Sequence, residues 1–306
     1  YTDAFDYIIE TRSRQTRNSI FQTYNDLPLD IVRIPLFEYQ KKGVFFALQA
    51  GRCLLADDMG LGKTIQAIAL AQLCRKICAV SRVLIICPTS LKYQWRSEIE
   101  RCTGEYATLI EGNVAKRAEM YRSVANSYII VSYSNVLNDF TSVQALGVGM
   151  IILDEAQKIK NLKSKISQKV KLLNSEYALA LTGTPLENRL EELYSIMQFV
   201  NSYSLGPFYK FMSDYQIKDQ NGKITGYRNL HQISIRLNKV MLRRTRSQVL
   251  DQLPERTVKN QLVSITPYQM KIHNVSRMDI AILIEKWKRN KSLHEIDRQR
   301  LLASLN

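Results

Sequence analysis

The stretch Cys53-Leu-Leu-Ala-Asp-Asp-Met-Gly-Leu-Gly-Lys-Thr64 decides the fold. Its opening residues, Cys53 to Ala56, have the length and apolar character of a short buried strand. A glycine-bearing turn follows, and the run Thr64 to Arg75 then carries Ile65, Ala67, Ile68, Ala69, Leu70, Ala71 and Leu73 on nearly every face, as expected of a buried helix. A strand that delivers such a turn to a helix N-terminus aims backbone N–H groups at phosphate oxygens. Lys63 supplies a point charge to the β- and γ-phosphates, and the Thr64 hydroxyl supplies a ligand for Mg²⁺. The general spacing G-x-x-x-x-G-K-S/T asks for glycine at its first position, where this chain has Asp57.

The complementary half of such a site is Ile151-Ile-Leu-Asp-Glu155, an apolar run that ends in two carboxylates. Asp154 is expected to hold the Mg²⁺ water shell and Glu155 to orient or deprotonate an attacking water. A lone strand ending in Asp-Glu serves equally well to cap a helix beginning near Ala156. The upstream Lys63-Thr64 pair makes nucleoside triphosphate hydrolysis the leading reading.

The chain has 306 residues, which suggests one large or two modest domains at roughly 150 residues each. Lys and Arg number 43 against 28 Asp and Glu, a formal charge of +15, so a polyanionic partner is expected, nucleic acid ahead of an anionic membrane. No apolar run approaches the roughly 20 residues that span a bilayer, and Asp3, Asp6 and Glu10 are unlike a signal peptide. The expectation is an intracellular protein with no membrane partner. Five cysteines without Cys-x-x-Cys spacing, and three histidines, argue against a zinc site or a disulfide framework.

Strands are expected at Cys53–Ala56, Val83–Cys87, Thr108–Ile110, Tyr128–Val131, Met150–Leu153 and Leu179–Thr182, with helices between them and one helical pattern from Leu36 to Leu48. Continuous apolar runs fit a parallel sheet covered on both faces, and the alternation predicts a doubly wound α/β domain with its ligand at the carboxyl ends of the strands. Beyond Asn201 the character changes. Tyr203 to Tyr227 reads as turn-rich and aromatic, Leu230 to Leu250 as helical and basic, Val258 to Ile265 as a short strand, and the remainder as charged helix.

Five strings, in order, resemble the motifs of the Swi/Snf-type ATPases of helicase superfamily two: Leu36-Phe-Glu-Tyr-Gln40, Asp57 to Thr64, Cys87-Pro-Thr-Ser-Leu-Lys-Tyr-Gln-Trp95, Asp154-Glu-Ala-Gln-Lys-Ile-Lys-Asn161 and Leu181-Thr-Gly-Thr-Pro-Leu-Glu-Asn188. Met241-Leu-Arg-Arg-Thr-Arg246 followed by Leu253-Pro-Glu-Arg256 also resembles that family, so the likeness covers residues 34 to 265. It implies a RecA-like P-loop lobe at 34–200, followed by a mainly helical insertion at 201–265 and a helical extension at 266–306 toward a second lobe that brings arginine fingers, while the polar, aperiodic residues 1–33 read as an arm or the tail of an upstream domain. It accounts for the acid at position 57, implies ATP and Mg²⁺ as cofactors, and points to bacterial relatives, with a cytoplasmic or nucleoid location, or a nuclear one in a eukaryote.

By the same resemblance Gln40 reads adenine, while Asp58, Met59, Gly60, Leu61, Gly62, Lys63 and Thr64 form the ATP loop. Asp154, Glu155 and Gln157 act with Lys63 in catalysis, and Thr182, Gly183 and Thr184 couple the nucleotide to nucleic acid. Gln157 stands where the commoner family letter is histidine. Duplex DNA is expected against Thr89, Ser90, Lys92 and Arg96, and along Lys158, Lys160 and Lys163, part of a lysine-rich stretch to Lys171 around the stripe Ile159, Leu162, Ile166, Val170 and Leu173. Each lysine or arginine taken alone fits a solvated surface equally well. Arg243, Arg244 and Arg246 fit either a phosphate track or a salt-bridge network within the insertion. The function implied is the ATP-hydrolysing first lobe of a double-stranded DNA translocase. A docking module with a decayed ATPase, or an RNA-dependent enzyme of the same superfamily, remains the alternative.

Overall fold

The structure, a computed structural model, describes residues 31–125, 127–183, 189–221, 223–252, 263–290 and 294–299. Helix α1 (Glu38–Ala50) leads into strand β1 (Arg52–Leu55), the phosphate loop and α2 (Lys63–Ile77). Next come β2 (Val83–Cys87), a 3-10 turn at Thr89–Leu91, α3 (Lys92–Thr103), β3 (Ala107–Leu109), α4 (Val114–Ser123) and β4 (Tyr128–Ser132). Two short helices, α5 (Tyr133–Asn138) and α6 (Phe140–Gln144), precede β5 (Met150–Leu153). After a 3-10 turn at Ala156–Ile159 the chain forms α7 (Lys165–Lys171), β6 (Tyr177–Leu181) and α8 (Leu190–Val200).

All strands of the main sheet run parallel, in the order β3-β4-β2-β5-β6-β1. Side chains alternate between its faces, and both faces are buried. Leu54, Leu84, Ile86, Ile129, Ile151 and Leu153 enter one core, while Cys53, Leu55, Val83, Ile85, Ile130, Ile152 and Leu179 enter the other. The latter core is filled by α1, α2 and α3 through Val44, Leu48, Ile68, Leu70, Leu73, Trp95 and Ile99. The doubly wound, RecA-like expectation therefore holds, with β2 and β5 at the bounds read from sequence and the others displaced by one or two residues.

The segment after α8 departs from expectation. Helix α9 (Phe208–Tyr215) and an antiparallel hairpin, β7 (Gln216–Lys218) with β8 (Ile224–Tyr227), occupy the aromatic stretch. Helix α10 (Leu230–Leu237) stops well short of Leu250, and β9 (Met241–Leu242) joins the main sheet as its seventh strand, beside β1. Pairing won over helical propensity here. The Leu54 and Ala56 N–H groups donate to the carbonyls of Val240 (2.8 Å) and Leu242 (2.7 Å), which satisfies an edge that would otherwise carry unpaired backbone. A 3-10 turn follows at Arg246–Gln252. The strand expected at 258–265 lies mostly outside the described residues, and Val263 to Thr266 form no strand.

Residues 255–306 form a separate compact unit, which contains α11 (Pro267–Asn290) and an ion pair between Lys286 and Asp297 at 2.5 Å. Among the described residues no helix is long and apolar enough to cross a membrane.

Helices α4 and α5 are fastened by Arg117, whose guanidinium donates to both oxygens of Asp139 (2.6 and 2.8 Å) and to the Gly112 carbonyl (2.7 Å). The hydrogen bonds from Arg117 hold the Asp139 carboxyl below its ordinary range. A depressed carboxyl stabilises the fold above the unfolded-state pKa, and that contribution disappears as pH falls through the folded-state value. Asp139→Asn, which leaves a largely buried guanidinium half-paired, is expected to cost about 3 kcal/mol at pH 7. In urea titrations the gap between variant and wild type should shrink from pH 7 towards pH 3; a gap independent of pH would show that the pair does not set it.

Candidate active site

In the sheet order β5, β6 and β1 are neighbours, so Asp154, Thr182 and the 57–62 loop leave adjacent strand ends on one edge. Between them lies a cleft of about 520 Å³ lined by Met59, Gly60, Gly62, Lys63, Thr64, Leu91, Gln94, Trp95, Asp154, Glu155, Gln157, Thr182 and Gly183. Four parts of the sequence meet here, and among them are Gly60, Gly62, Lys63 and Thr64 of the phosphate-loop reading and Asp154 and Glu155 of the carboxylate reading.

The loop is shaped by its glycines. Gly62, the N-cap of α2, has φ 70°, and a Cβ there would stand 2.4 Å from Gln40 Nε2. Only glycine combines the left-handed turn with that close approach. The Lys63 ammonium donates to the carbonyls of Asp57 (2.7 Å) and Asp58 (3.1 Å). Burial lowers its pKa, against which the carboxylates of Asp57, Glu155, Asp154 and Asp58 act in the opposite sense. Met59 projects from the loop, 74% exposed, at the mouth of the cleft.

The carboxylates opposite are held individually. Asp154 Oδ2 accepts from the Trp95 indole N–H at 2.7 Å, and its Oδ1 accepts from the Glu155 N–H at 2.9 Å. The Tyr133 hydroxyl donates to the Asp154 carbonyl at 2.7 Å. Burial raises the Asp154 pKa, the Trp95 hydrogen bond lowers it, and the neighbouring Glu155 charge raises it. Glu155 itself sits at φ 51°, ψ 56°, left-handed for a non-glycine residue. Its Oε2 accepts from Gln157 Nε2 at 2.5 Å, and Gln157 Oε1 accepts from the Thr182 hydroxyl at 3.0 Å. One side-chain amide thus links the end of β5 to the end of β6.

Other expected site residues lie elsewhere. Gln40 is behind the loop: its Oε1 accepts from the Phe37 N–H (3.0 Å), and its amide donates to the Leu61 carbonyl (3.4 Å). Thr184 falls outside the described residues. Thr89, Ser90 and Arg96 are exposed around the start of α3, with Arg96 stacked over Tyr93. Lys92 is a correction. It is 5% exposed, and its ammonium donates to the Ile110 carbonyl (3.1 Å) and Glu111 (3.0 Å), because the start of α3 packs onto the end of β3 rather than facing solvent. Lys158, Lys160, Lys163 and Lys165 are exposed, Lys160 paired to Glu192 at 3.1 Å. Lys169 stacks on Phe140, and Lys171 turns inward onto Ser195 (2.7 Å), its pKa pushed down to about 8 by burial.

Sequence reading missed the supporting residues. Nothing in the Cys87–Trp95 string marks Trp95 as a partner of Asp154, yet its ring packs in the core while its N–H reaches the cleft. Tyr133 carried no signal. Arg244 is neither a phosphate contact nor part of a network inside the insertion: its guanidinium grips buried Asp57, in the loop after β1 and 187 residues upstream.

Comparison with known proteins identifies the family. An uncharacterized ATP-dependent helicase of Mycoplasma pneumoniae is 33% identical over 280 residues, which are 89% of this chain and 26% of that protein. A second, from Mycoplasma genitalium, is 30% identical over 91% of this chain and 27% of its own length. The chain therefore spans about a quarter of these relatives. The Sulfolobus solfataricus SWI2/SNF2 ATPase core in complex with dsDNA superposes with a TM-score of 0.64 at 27% identity, over 90% of this chain and 57% of that one. The profile of the SNF2-related domain matches residues 39–305, from the tyrosine whose carbonyl receives Arg244 through the phosphate loop and both carboxylates, and the chain belongs to that family.

Proposed function

We propose that this chain is the ATP-binding and hydrolysing first lobe of a double-stranded DNA translocase. The observation that carries the reading is the cleft itself, where the Lys63 loop, Asp154, Glu155 and Thr182 face one another and Gln157 joins the last two. ATP enters with its phosphates against the backbone N–H groups of residues 60–64. Lys63 exchanges its loop carbonyls for β- and γ-phosphate oxygens, and Gln40, buried behind the loop and tied to Leu61, reaches adenine only if the nucleotide base comes to that side. Glu155 orients and deprotonates the attacking water.

Thr64, Asp154 and Glu155 present hard oxygen donors around one space, which suits Mg²⁺, and among the described residues no cluster of three His, Cys, Asp or Glu could hold a metal by protein ligands alone. Such a donor set matches a cation that shares its shell with phosphates and water. When bound, Mg²⁺ neutralises charge developing on the phosphates. Thr64 and Asp154 would hold it, and Trp95, which donates to Asp154 Oδ2, keeps that carboxylate from rotating away.

Gln157 bridges the water-orienting carboxylate and Thr182, so a change at the γ-phosphate position is transmitted to the end of β6 and, by the family resemblance, to the coupling set Thr182, Gly183 and Thr184. The DNA partner is supported by the formal charge of +15, by exposed Thr89, Ser90, Arg96, Lys158, Lys160 and Lys163, and by the duplex carried by the structural relative. The second lobe, with its arginine fingers, belongs to the remaining length of an intracellular parent protein, beyond the lobe at 34–200, the insertion at 201–265 and the extension at 266–306.

In the full-length protein, Lys63→Ala should abolish ATP binding measured by calorimetry. Glu155→Gln should leave the ATP Kd within about threefold while lowering kcat by roughly 10²- to 10⁴-fold. Equal ATP affinity in wild type and Lys63→Ala would indicate a decayed site. The isolated chain is expected to turn over about 10³- to 10⁵-fold more slowly than the full-length enzyme with duplex DNA, through lack of the arginine finger. Stimulation of the full-length ATPase should be greatest with duplex DNA and fall steeply between 50 and 200 mM salt, the range over which phosphate contacts weaken; stronger stimulation by RNA would reassign the substrate.

A further inference from the structure

Asp57 breaks the glycine rule of the phosphate loop, and it is completely buried. Its carboxylate is the target of a residue 187 positions downstream: Arg244 donates from Nε to Oδ1 at 2.9 Å, from its backbone N–H to Oδ1 at 3.1 Å, and from Nη2 to Oδ2. Gln66 adds a bond to Oδ2 at 3.2 Å and accepts from Arg244 at 2.8 Å. The guanidinium also donates to the Tyr39 carbonyl and lies over the Tyr39 ring at 5.2 Å. Space for it exists because α1 has Gly43 at this point, where a Cβ would come within 2.0 Å of Gln66 Oε1 and 2.8 Å of Arg244 Nη2.

The contact continues along the backbone. The Asp58 N–H donates to the Arg244 carbonyl (3.0 Å), and Asp58 Oδ2 accepts from the Arg246 N–H (3.0 Å). Residues 57 and 58 are therefore held on one side by 244–246 while their carbonyls hold the Lys63 ammonium on the other. A lysine that leaves these carbonyls for phosphate leaves behind two acceptors held by the clasp, with Gln66 on the Asp57 carboxylate (3.2 Å) and the Leu61 N–H on the Asp58 carbonyl (3.4 Å) as the remaining supports.

We propose that Arg244 is a positioning residue for the phosphate loop, clasping Asp57 so that ATP affinity depends on the segment 241–252, which follows α10 and pairs with β1. The proposal rests on the reading of this loop as the ATP site. Binding is reciprocal: what the clasp contributes to ATP affinity, ATP contributes to the order of the clasp. Removing one half of a buried charged pair leaves the other uncompensated and frees the loop backbone.

The test uses the full-length protein. Arg244→Lys, which keeps the charge and loses the fork, and Asp57→Asn should each raise the ATP Kd and KM about tenfold, with kcat changed by less than about threefold. Gly43→Ala, which crowds Arg244 without touching the cleft, should move affinity in the same direction. In wild type, amide exchange over residues 241–252 should slow when ATP binds. If the variants melt earlier but bind ATP as wild type does, the pair is structural and the proposal is overturned. Should Arg244→Lys and Asp57→Asn fail to fold, wild-type exchange decides: equal rates over 241–252 with and without ATP overturn it, and protection supports it. A wild-type protein with no affinity for ATP removes the reading of the site, and this inference with it.

Discussion

A parallel sheet buried on both faces confines polar chemistry to its ends. Every side chain from β2 and β5 is lost to one core or the other, so no charge can be tolerated along those strands without a partner. Polar groups appear where the strands stop, and parallel direction puts all the stops on one edge. The order β5-β6-β1 then makes neighbours of three segments separated by long stretches of chain: the Lys63 loop, the Asp154-Glu155 pair and Thr182. The cleft follows from strand order as much as from the residues in it.

Charges gathered at such an edge must be balanced before any ligand arrives. Lys63 uses two loop carbonyls, Asp154 uses Trp95 and its neighbour's N–H, and Glu155 uses the Gln157 amide. Each of these partners is neutral, so each satisfies hydrogen bonding without cancelling charge. A lysine and two carboxylates kept this way remain available to an ionic ligand. Asp57, by contrast, meets a full guanidinium in a bidentate pair inside the fold, and its charge is spent on the loop's shape.

How much of this was legible follows from the range of each signal. Apolar runs such as Val83–Cys87 and Met150–Leu153 announce themselves, because a strand covered on both faces needs no alternation and tolerates no polar residue. Lys63, Thr64, Asp154 and Glu155 were legible because their spacing from a strand end is local. Lys92 was misread because the motif around it does not say what packs on the start of α3, and the end of β3 lay over that side chain. The stretch 238–250 was misread because Met241-Leu242 is too short for a period, and only the exposed edge of β1 made it a strand. Arg244 and Trp95 belong to the same class. Their partners are distant in sequence, and nothing in an Arg-Arg-Thr-Arg run or in the Cys87–Trp95 string records which atom the side chain will reach.

Glu155 shows how local cost and distant contact are balanced at the cleft. A non-glycine residue at φ 51° costs about 1–2 kcal/mol relative to the right-handed region. An extended or right-handed conformation would send the chain elsewhere after β5. The left-handed turn instead starts the 3-10 segment Ala156–Ile159, which brings Gln157 back within 2.5 Å of Glu155 and across to Thr182. The turn is braced on both sides: Asp154 Oδ1 accepts the Glu155 N–H, the Glu155 carbonyl accepts from the Lys158 N–H at 2.9 Å, and Tyr133 fixes the carbonyl before it. These bonds, with β5 anchored in two cores, over-determine the strained residue. Relaxing it would break the amide bridge and leave the two adjacent strand ends without a side-chain link, so the strain is retained where that link is made.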